Sequence, residues 1–371
     1  MAAEPSGAAA PLLLHVYATF AVGGPQVRFA ALANRFGPAF RHAIVAMDGN
    51  TACRERLDPA LDVTYPAIDI RKGDTLGNRR RFRAALRALR PSVLVTSNWG
   101  SIEWAMANMP RLVRHLHVED GFGPEERSSQ LARRVWTRRL LLRGATVAVP
   151  SRTLWSIAAD TWRLPRASLR YVPNGIDLAR FLPQGAIPRD VPVIGTVAAL
   201  RPEKNLARLL RAFALVAARM PCRLVVAGDG PERAGLVALA ALLGIAEAVS
   251  FPGHVVDTPA LYAGFDLFAL SSDTEQMPMS VLEAMAARLP VVATDVGDVR
   301  AMLAPANAAF VVPNDDAALA DSMARLLAGP GLRRDIGAAN RVRAEAEFDQ
   351  KAMFVAWHAL FDGSLAPVAP S

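Results

Sequence analysis

A chain of 371 residues with 52% hydrophobic side chains and a mean hydropathy of +0.20 can fill two cores of ordinary size, which excludes a disordered protein. The net charge of +8 is lopsided: residues 1–175 hold 25 Lys and Arg against 13 Asp and Glu, and residues 176–371 hold 17 against 21. The first half is therefore expected to meet an anionic partner. Cys53 and Cys222 fit no metal spacing and read as reduced core thiols of a cytosolic protein. The opening MAAEPSGAAAPLLLHVYATF lacks a basic n-region, and His15 breaks its apolar run; neither a signal peptide nor a spanning helix is expected, and any membrane contact is peripheral.

Strand-like and helix-like segments then alternate, the pattern of parallel sheets covered on both faces. In the first half Leu12–Tyr17, Ala43–Met47, Val93–Thr96, Leu112–Val118 and Thr146–Val149 read as strands, with helices over Val27–Phe36 and Asn78–Leu89. Gly23-Gly24-Pro25 follows the first strand; two glycines let a ligand approach the backbone, although tight packing of the loop explains them equally well. The arginine-rich stretches 71–90 and 133–143 interleave cations with Phe82, Leu86, Trp136 and Leu140 at helical spacing. They are expected to form either solvated outer faces or cationic surfaces for anionic lipid headgroups; nucleic acid is disfavoured because no binding module accompanies them. His117, Glu119 and Asp120 lie at the carboxyl end of a strand, where catalytic groups of α/β folds gather.

Residues 172–190, rich in Pro, Gly and Asn, read as the linker to a second domain. There Val193–Val197, Leu224–Ala227, Val249–Phe251, Asp266–Leu270, Val291–Ala293 and Phe310–Val312 are expected strands. Helices are expected near Asn205–Arg219, Glu232–Leu243, Pro278–Arg288, Ala317–Leu327, Leu332–Phe348 and Lys351–Phe361. Arg201 and Lys204 stand near a helix start, against the dipole preference, and an anion bound between them relieves that conflict. Asp229 in AGDGPER reads as a helix cap, and Gly253 and His254 as part of a wall for a base. Between Gln276 and Ser280, through Met277, Pro278 and Met279, backbone N–H groups at a helix start are expected to face a phosphate, with Glu275 before the helix and Glu283 one turn inside it. Carboxylates there suit hydroxyl groups, so the expected ligand joins phosphate to ribose and a sugar.

Taken in order, VGG at 22–24, VPNGID at 172–177, LRPEKN at 200–205, AGDGPER at 227–233, FPGH at 251–254 and Glu275-x7-Glu283 followed by LPVVATDVGD resemble the family 4 retaining glycosyltransferases of the GT-B fold, the glycosyl transferases group 1. The resemblance implies an α/β protein of two Rossmann-like domains, with parallel sheets facing a central cleft. It places an acceptor domain at 1–176, a nucleotide-sugar domain at 177–349, and the helix of 350–371 with the first. It implies a UDP- or GDP-hexose donor, a hydroxyl acceptor such as a lipid-linked one, and no cofactor; no Asp-x-Asp occurs, in keeping with a metal-independent site. Glu283 then matches the ribose-binding glutamate, Glu275 the one that contacts the donor sugar, Lys204 the diphosphate lysine, and Gly24 the glycine loop.

The chain departs from the family at two places. Ala198-Ala199-Leu200 stands where relatives have Gly-Arg-Leu, leaving Arg201 to supply the charge. Glu119-Asp120-Gly121 stands where many have Glu-His-Gly, so either His117 or Asp120 fills the catalytic-loop role. A nucleotide-sugar epimerase of the same fold, or a binding protein without turnover, are the alternatives.

Overall fold

The structure, a computed structural model, describes residues 9–126, 129–181 and 191–370. The chain divides into two compact units, Met1–Val172 with Phe354–Ser371, and Pro173–Met353.

The first unit carries β1 (Leu12–Tyr17), α1 (Gly24–Phe36), β2 (Arg41–Ala46), β3 (Val63–Thr64), α2 (Thr75–Leu89), β4 (Val93–Ser97), α3 (Ile102–Ala107), β5 (Arg114–Val118), α4 (Ala132–Leu141), β6 (Thr146–Val149), α5 (Arg152–Ser156) and β7 (Leu169–Tyr171). Every strand pairing is parallel, in the order β3-β2-β1-β4-β5-β6-β7. Buried on both faces, the central strands are near-continuous apolar runs such as LLLHVY and VLVTS, which is why they are legible in the sequence. The short edge strands β3 and β7 carry no such run and go unexpected.

The second unit repeats the plan with β8 (Val193–Val197), α6 (Leu206–Ala217), β9 (Arg223–Ala227), α7 (Arg233–Leu242), β10 (Val249–Gly253), α8 (Thr258–Ala263), β11 (Leu267–Leu270), α9 (Met279–Ala286), β12 (Val291–Thr294), α10 (Val299–Met302), β13 (Val311–Val312), α11 (Asp316–Ala328) and α12 (Pro330–Glu347). A last helix, α13, spans Gln350–Asp362. The strand order is β10-β9-β8-β11-β12-β13, again all parallel. In both sheets the order reverses beside the first strand, between β1 and β4 and between β8 and β11. Ligands of such sheets bind beyond the strands' carboxyl ends at that point.

Two local expectations are corrected. Residues 172–181 are not a free linker: the Val172 amide donates to the Val149 carbonyl, the Ile176 amide to Phe348, and Val172, Asn174, Ile176 and Phe181 are buried; residues 182–190 lie outside the described residues. Pro278 is the residue before the first helical turn of α9 rather than its first member, with extended backbone at ψ 125°. Among the described residues no helix is long and apolar enough to cross a membrane.

Candidate active site

In the second unit the loops after β8 and β11 meet at the switch point. Asn205 adopts a left-handed conformation (φ 41°) and caps α6, its Oδ1 accepting from the Arg208 amide at 3.2 Å. Its Nδ2 donates to both oxygens of Asp273 at 3.0 and 3.2 Å, and Arg208 donates to the same carboxylate at 2.7 Å. The Ser271 hydroxyl donates to the Lys204 carbonyl at 3.0 Å. Loop is thus tied to loop before any ligand arrives, and Lys204 Nζ stands 2.6 Å from Glu275 Oε1. Ser272 Oγ donates to that same oxygen at 2.7 Å. Glu275 Oε2 takes no hydrogen bond among the described residues.

A third loop sets the backbone of Glu275. Gly297 has φ +53°, and a Cβ there would overlap the Glu275 carbonyl oxygen; the neighbouring Asp298 amide donates to the Gln276 carbonyl at 3.0 Å. The sequence reading did not single out Gly297, whose signal is its place after β12 in DVGD. The Thr294 hydroxyl, at the end of β12, donates to the Ser272 carbonyl at 2.6 Å.

Beyond this point α9 begins. The amides of Met279 and Ser280 have no partner within the helix, as first-turn amides never do. Met277 contributes differently from expectation: its side chain is in the core, and its carbonyl accepts from Asn174 Nδ2 at 3.1 Å. Glu283 Oε2 lies 2.8 Å from the hydroxyl of the fully buried Tyr262, which is also 3.0 Å from the Ser280 carbonyl. Burial pushes the Glu283 carboxyl above its usual range, against the Tyr262 hydrogen bond and the field of Arg180. Tyr262 has no motif around it and was not foreseen.

Other expected residues fall out less uniformly. Arg201 is exposed, in an extended conformation two residues past Ala199. Asp229 does not cap α7: its Oδ1 accepts from the Gly230 amide at 2.8 Å, while its carbonyl accepts from the Leu200 amide at 2.9 Å, bracing the loop that carries Arg201. Gly253 has φ +81° and is followed by an exposed His254.

The first unit builds a separate cluster at its own switch point. α1 starts at Gly24, and the space a Cβ would take there is empty within 4 Å, so packing does not explain this glycine; at Gly23 only the Gln26 side chain is near. Arg28, on the first turn but one of α1, holds both oxygens of Asp120 at 2.7 and 2.9 Å, with its guanidinium 5.0 Å from the Trp357 ring. Asn98 Oδ1 accepts from the Asp120 amide at 2.7 Å. His117 is placed otherwise. It is fully buried, with Nδ1 2.8 Å from the Thr96 hydroxyl, which also lies 2.7 Å from His115 Nε2, and with Nε2 3.6 Å from the buried Glu119. Of the two expected candidates only Asp120 keeps any exposure, at 10% of its side chain. Arg28 was missed because a single arginine inside a helix carries no sequence signal.

Residues 22–180 match the sequence model of Glycosyltransferase Family 4, and residues 179–343 that of Glycosyl transferases group 1. The chain is 32% identical over 219 residues to a GDP-mannose-dependent alpha-mannosyltransferase of Mycolicibacterium smegmatis, covering 56% of this chain and 54% of that one. It is 29% identical over 278 residues to a D-inositol 3-phosphate glycosyltransferase of Salinispora arenicola, covering 68% and 61%. The chain thus spans little more than half the length of these curated relatives. Among solved structures, Alr3699/HepE of Anabaena in complex with UDP and glucose superposes with a TM-score of 0.81 at 18% identity, over 96% of this chain and 100% of that one. Sucrose-phosphate synthase of Thermosynechococcus elongatus superposes at 0.79 and 19% identity, over 95% and 98%. At these identities the likeness concerns the fold.

Proposed function

We propose that this chain, which belongs to the family 4 and group 1 glycosyltransferases of the GT-B fold, moves a hexose from a UDP- or GDP-sugar to a hydroxyl acceptor with retention at the anomeric carbon. The observation that carries the reading is the contact of Lys204 with Glu275, 2.6 Å apart across the switch point and beside the start of α9. A diphosphate at that helix start meets first-turn amides and a lysine ammonium, a set of donors suited to a departing anion. Glu275, with Oε2 uncommitted, accepts hydroxyls of the hexose, and Glu283 accepts those of ribose. Front-face attack, with the leaving phosphate taking the acceptor's proton, needs no protein nucleophile. Arg201 supplies further positive charge.

In the first unit, no packing covers the space beside Gly24, which leaves its backbone open to a ligand, and Asp120, not the enclosed His117, is the acceptor-side group. The acceptor belongs to cell-surface polysaccharide or glycolipid synthesis, a reading supported by the relatives named for GDP-mannose and for inositol 3-phosphate. A lipid-linked acceptor brings the chain to an anionic membrane surface from the cytoplasmic side.

A second reading, binding without turnover, is favoured by one observation: both oxygens of Asp120 are already engaged by Arg28. Purified protein offered a panel of nucleotide sugars, first for binding and then for nucleoside-diphosphate release with lipid extract, tests both. Release that depends on the extract supports transfer. Binding without release leaves the second reading, and an epimerised sugar nucleotide without acceptor overturns both.

A further inference from the structure

α4 (ARRVWTRRLL) is two-faced. Inward, the Arg138 guanidinium is 1% exposed, donates to Glu126 at 3.1 Å, lies 3.3 Å from Glu119, and is enclosed by the rings of Trp99, Phe122 and Trp162 at 4.9 to 5.3 Å. Arg134 joins it on Glu126 at 3.1 Å. Burial opposes charge on Glu126, yet bonds from Arg138 and Arg134 and from the Leu131 amide hold its carboxyl below the usual range. These two arginines are spoken for by the fold.

The outward face is a different surface. Trp136 and Leu140, one turn apart, are 65% and 70% exposed, although large apolar side chains side by side are uncommon on a water-facing helix. Arg133 and Arg143 flank them, and the Arg139 guanidinium lies 5.0 Å from the Trp136 ring. Residues 129–159 contain six arginines and no Asp or Glu. At the lower end of the helix Arg111 lies beside Gly144, next to the exposed Leu112.

The other basic stretch commits more of its cations to its own unit. Arg83 donates to the carbonyls of Ala107, Met109 and Pro110, Arg79 to that of Met109, and Arg81 to Asp74 and Asn78. Three of its clustered arginines, Arg79, Arg81 and Arg83, are therefore used within the unit.

We propose that the outward face of α4 docks the chain on an anionic phospholipid bilayer, with Trp136 and Leu140 entering the headgroup boundary and Arg133, Arg139 and Arg143 resting on the phosphates. An aromatic and an aliphatic side chain exposed side by side among arginines is the chemistry of an interfacial helix. Nucleic acid would use the arginines but not Leu140. The inference deepens the membrane-acceptor reading above, and its test involves no transfer, so either can fail alone.

The experiment is co-sedimentation of the full chain with phosphatidylglycerol–phosphatidylcholine vesicles and with phosphatidylcholine vesicles, at low and high salt, alongside Trp136→Ser/Leu140→Ser and Arg133→Gln/Arg139→Gln/Arg143→Gln. The unmutated chain should bind the anionic vesicles and release with salt. The apolar double variant should lose on the order of tenfold in partitioning, and the triple variant about fivefold per arginine. Circular dichroism and a melting temperature unchanged from the unmutated chain show that both variants fold, the first unit included. No binding by the unmutated chain overturns the proposal, as does equal binding by the variants. So does a face that serves something else, seen as loss of a dimer on size exclusion, or as binding of RNA but not of vesicles.

Discussion

Lys204 and Glu275 are 71 residues apart in sequence, and their side chains meet at 2.6 Å because β8 and β11 are neighbours in the sheet. The ammonium proposed for the diphosphate is thus already positioned by the carboxylate proposed for the sugar. Lys204→Ala should weaken nucleoside-diphosphate binding by roughly 10–100-fold, the equivalent of about 1.5–3 kcal/mol for a charge-assisted hydrogen bond. Titration calorimetry reads this directly, and an unchanged affinity removes Lys204 from the site. Because the two side chains touch, Lys204→Ala and Glu275→Gln should be non-additive for turnover in a double-mutant cycle.

The two glutamates should separate by ligand. Glu283→Gln is expected to weaken nucleoside diphosphate and sugar nucleotide alike, and Glu275→Gln to reduce turnover while sparing the nucleoside diphosphate. Tyr262→Phe removes the hydroxyl 2.8 Å from Glu283 Oε2 and should follow Glu283→Gln in direction, with a smaller loss. Equal losses of free nucleoside diphosphate in the two glutamine variants would show the division of roles to be wrong.

Gly297→Ala adds one carbon where the Glu275 carbonyl oxygen stands, at a positive φ that L residues rarely adopt. The strain, about 1–3 kcal/mol, should lower the melting temperature and move Glu275. Turnover should fall further than nucleoside-diphosphate affinity. A variant with full activity and unchanged melting means that the loop holding Gly297 does not set Glu275.

Acid should destabilise the first unit. Burial holds His42 down to about 4 and His115 down to about 3, and His15 well below its ordinary value near 6.5. Each stays neutral in the fold, whereas the unfolded chain takes up protons below about 6.5. Their contribution is therefore complete above that pH and is lost as pH falls toward 4, at up to about 1.4 kcal/mol per pH unit for each. Urea midpoints should fall between pH 7 and pH 5, and His42→Gln should flatten the dependence. A midpoint that stays constant over this range excludes these histidines as its cause.

The sequence alone determined the succession of elements and the motifs at their ends. Central parallel strands are apolar runs whatever their neighbours, and helix starts announce themselves by Gly, Pro and Asn, so LRPEKN, the Glu275-x7-Glu283 segment and the glycine pair at 23–24 were legible. The family followed from their order. Only the tertiary structure decided which side chains meet: Arg28 with Asp120 across 92 residues, Tyr262 with Glu283, Arg138 between Glu119 and Glu126, and Arg83 on the carbonyls of Ala107 to Pro110. It also buried His117 and left Trp136 and Leu140 in water. A local pattern fixes which face a residue takes on its own element; its partner depends on which elements the sheet order brings alongside, and pairing across tens of residues leaves no periodic trace in a single sequence.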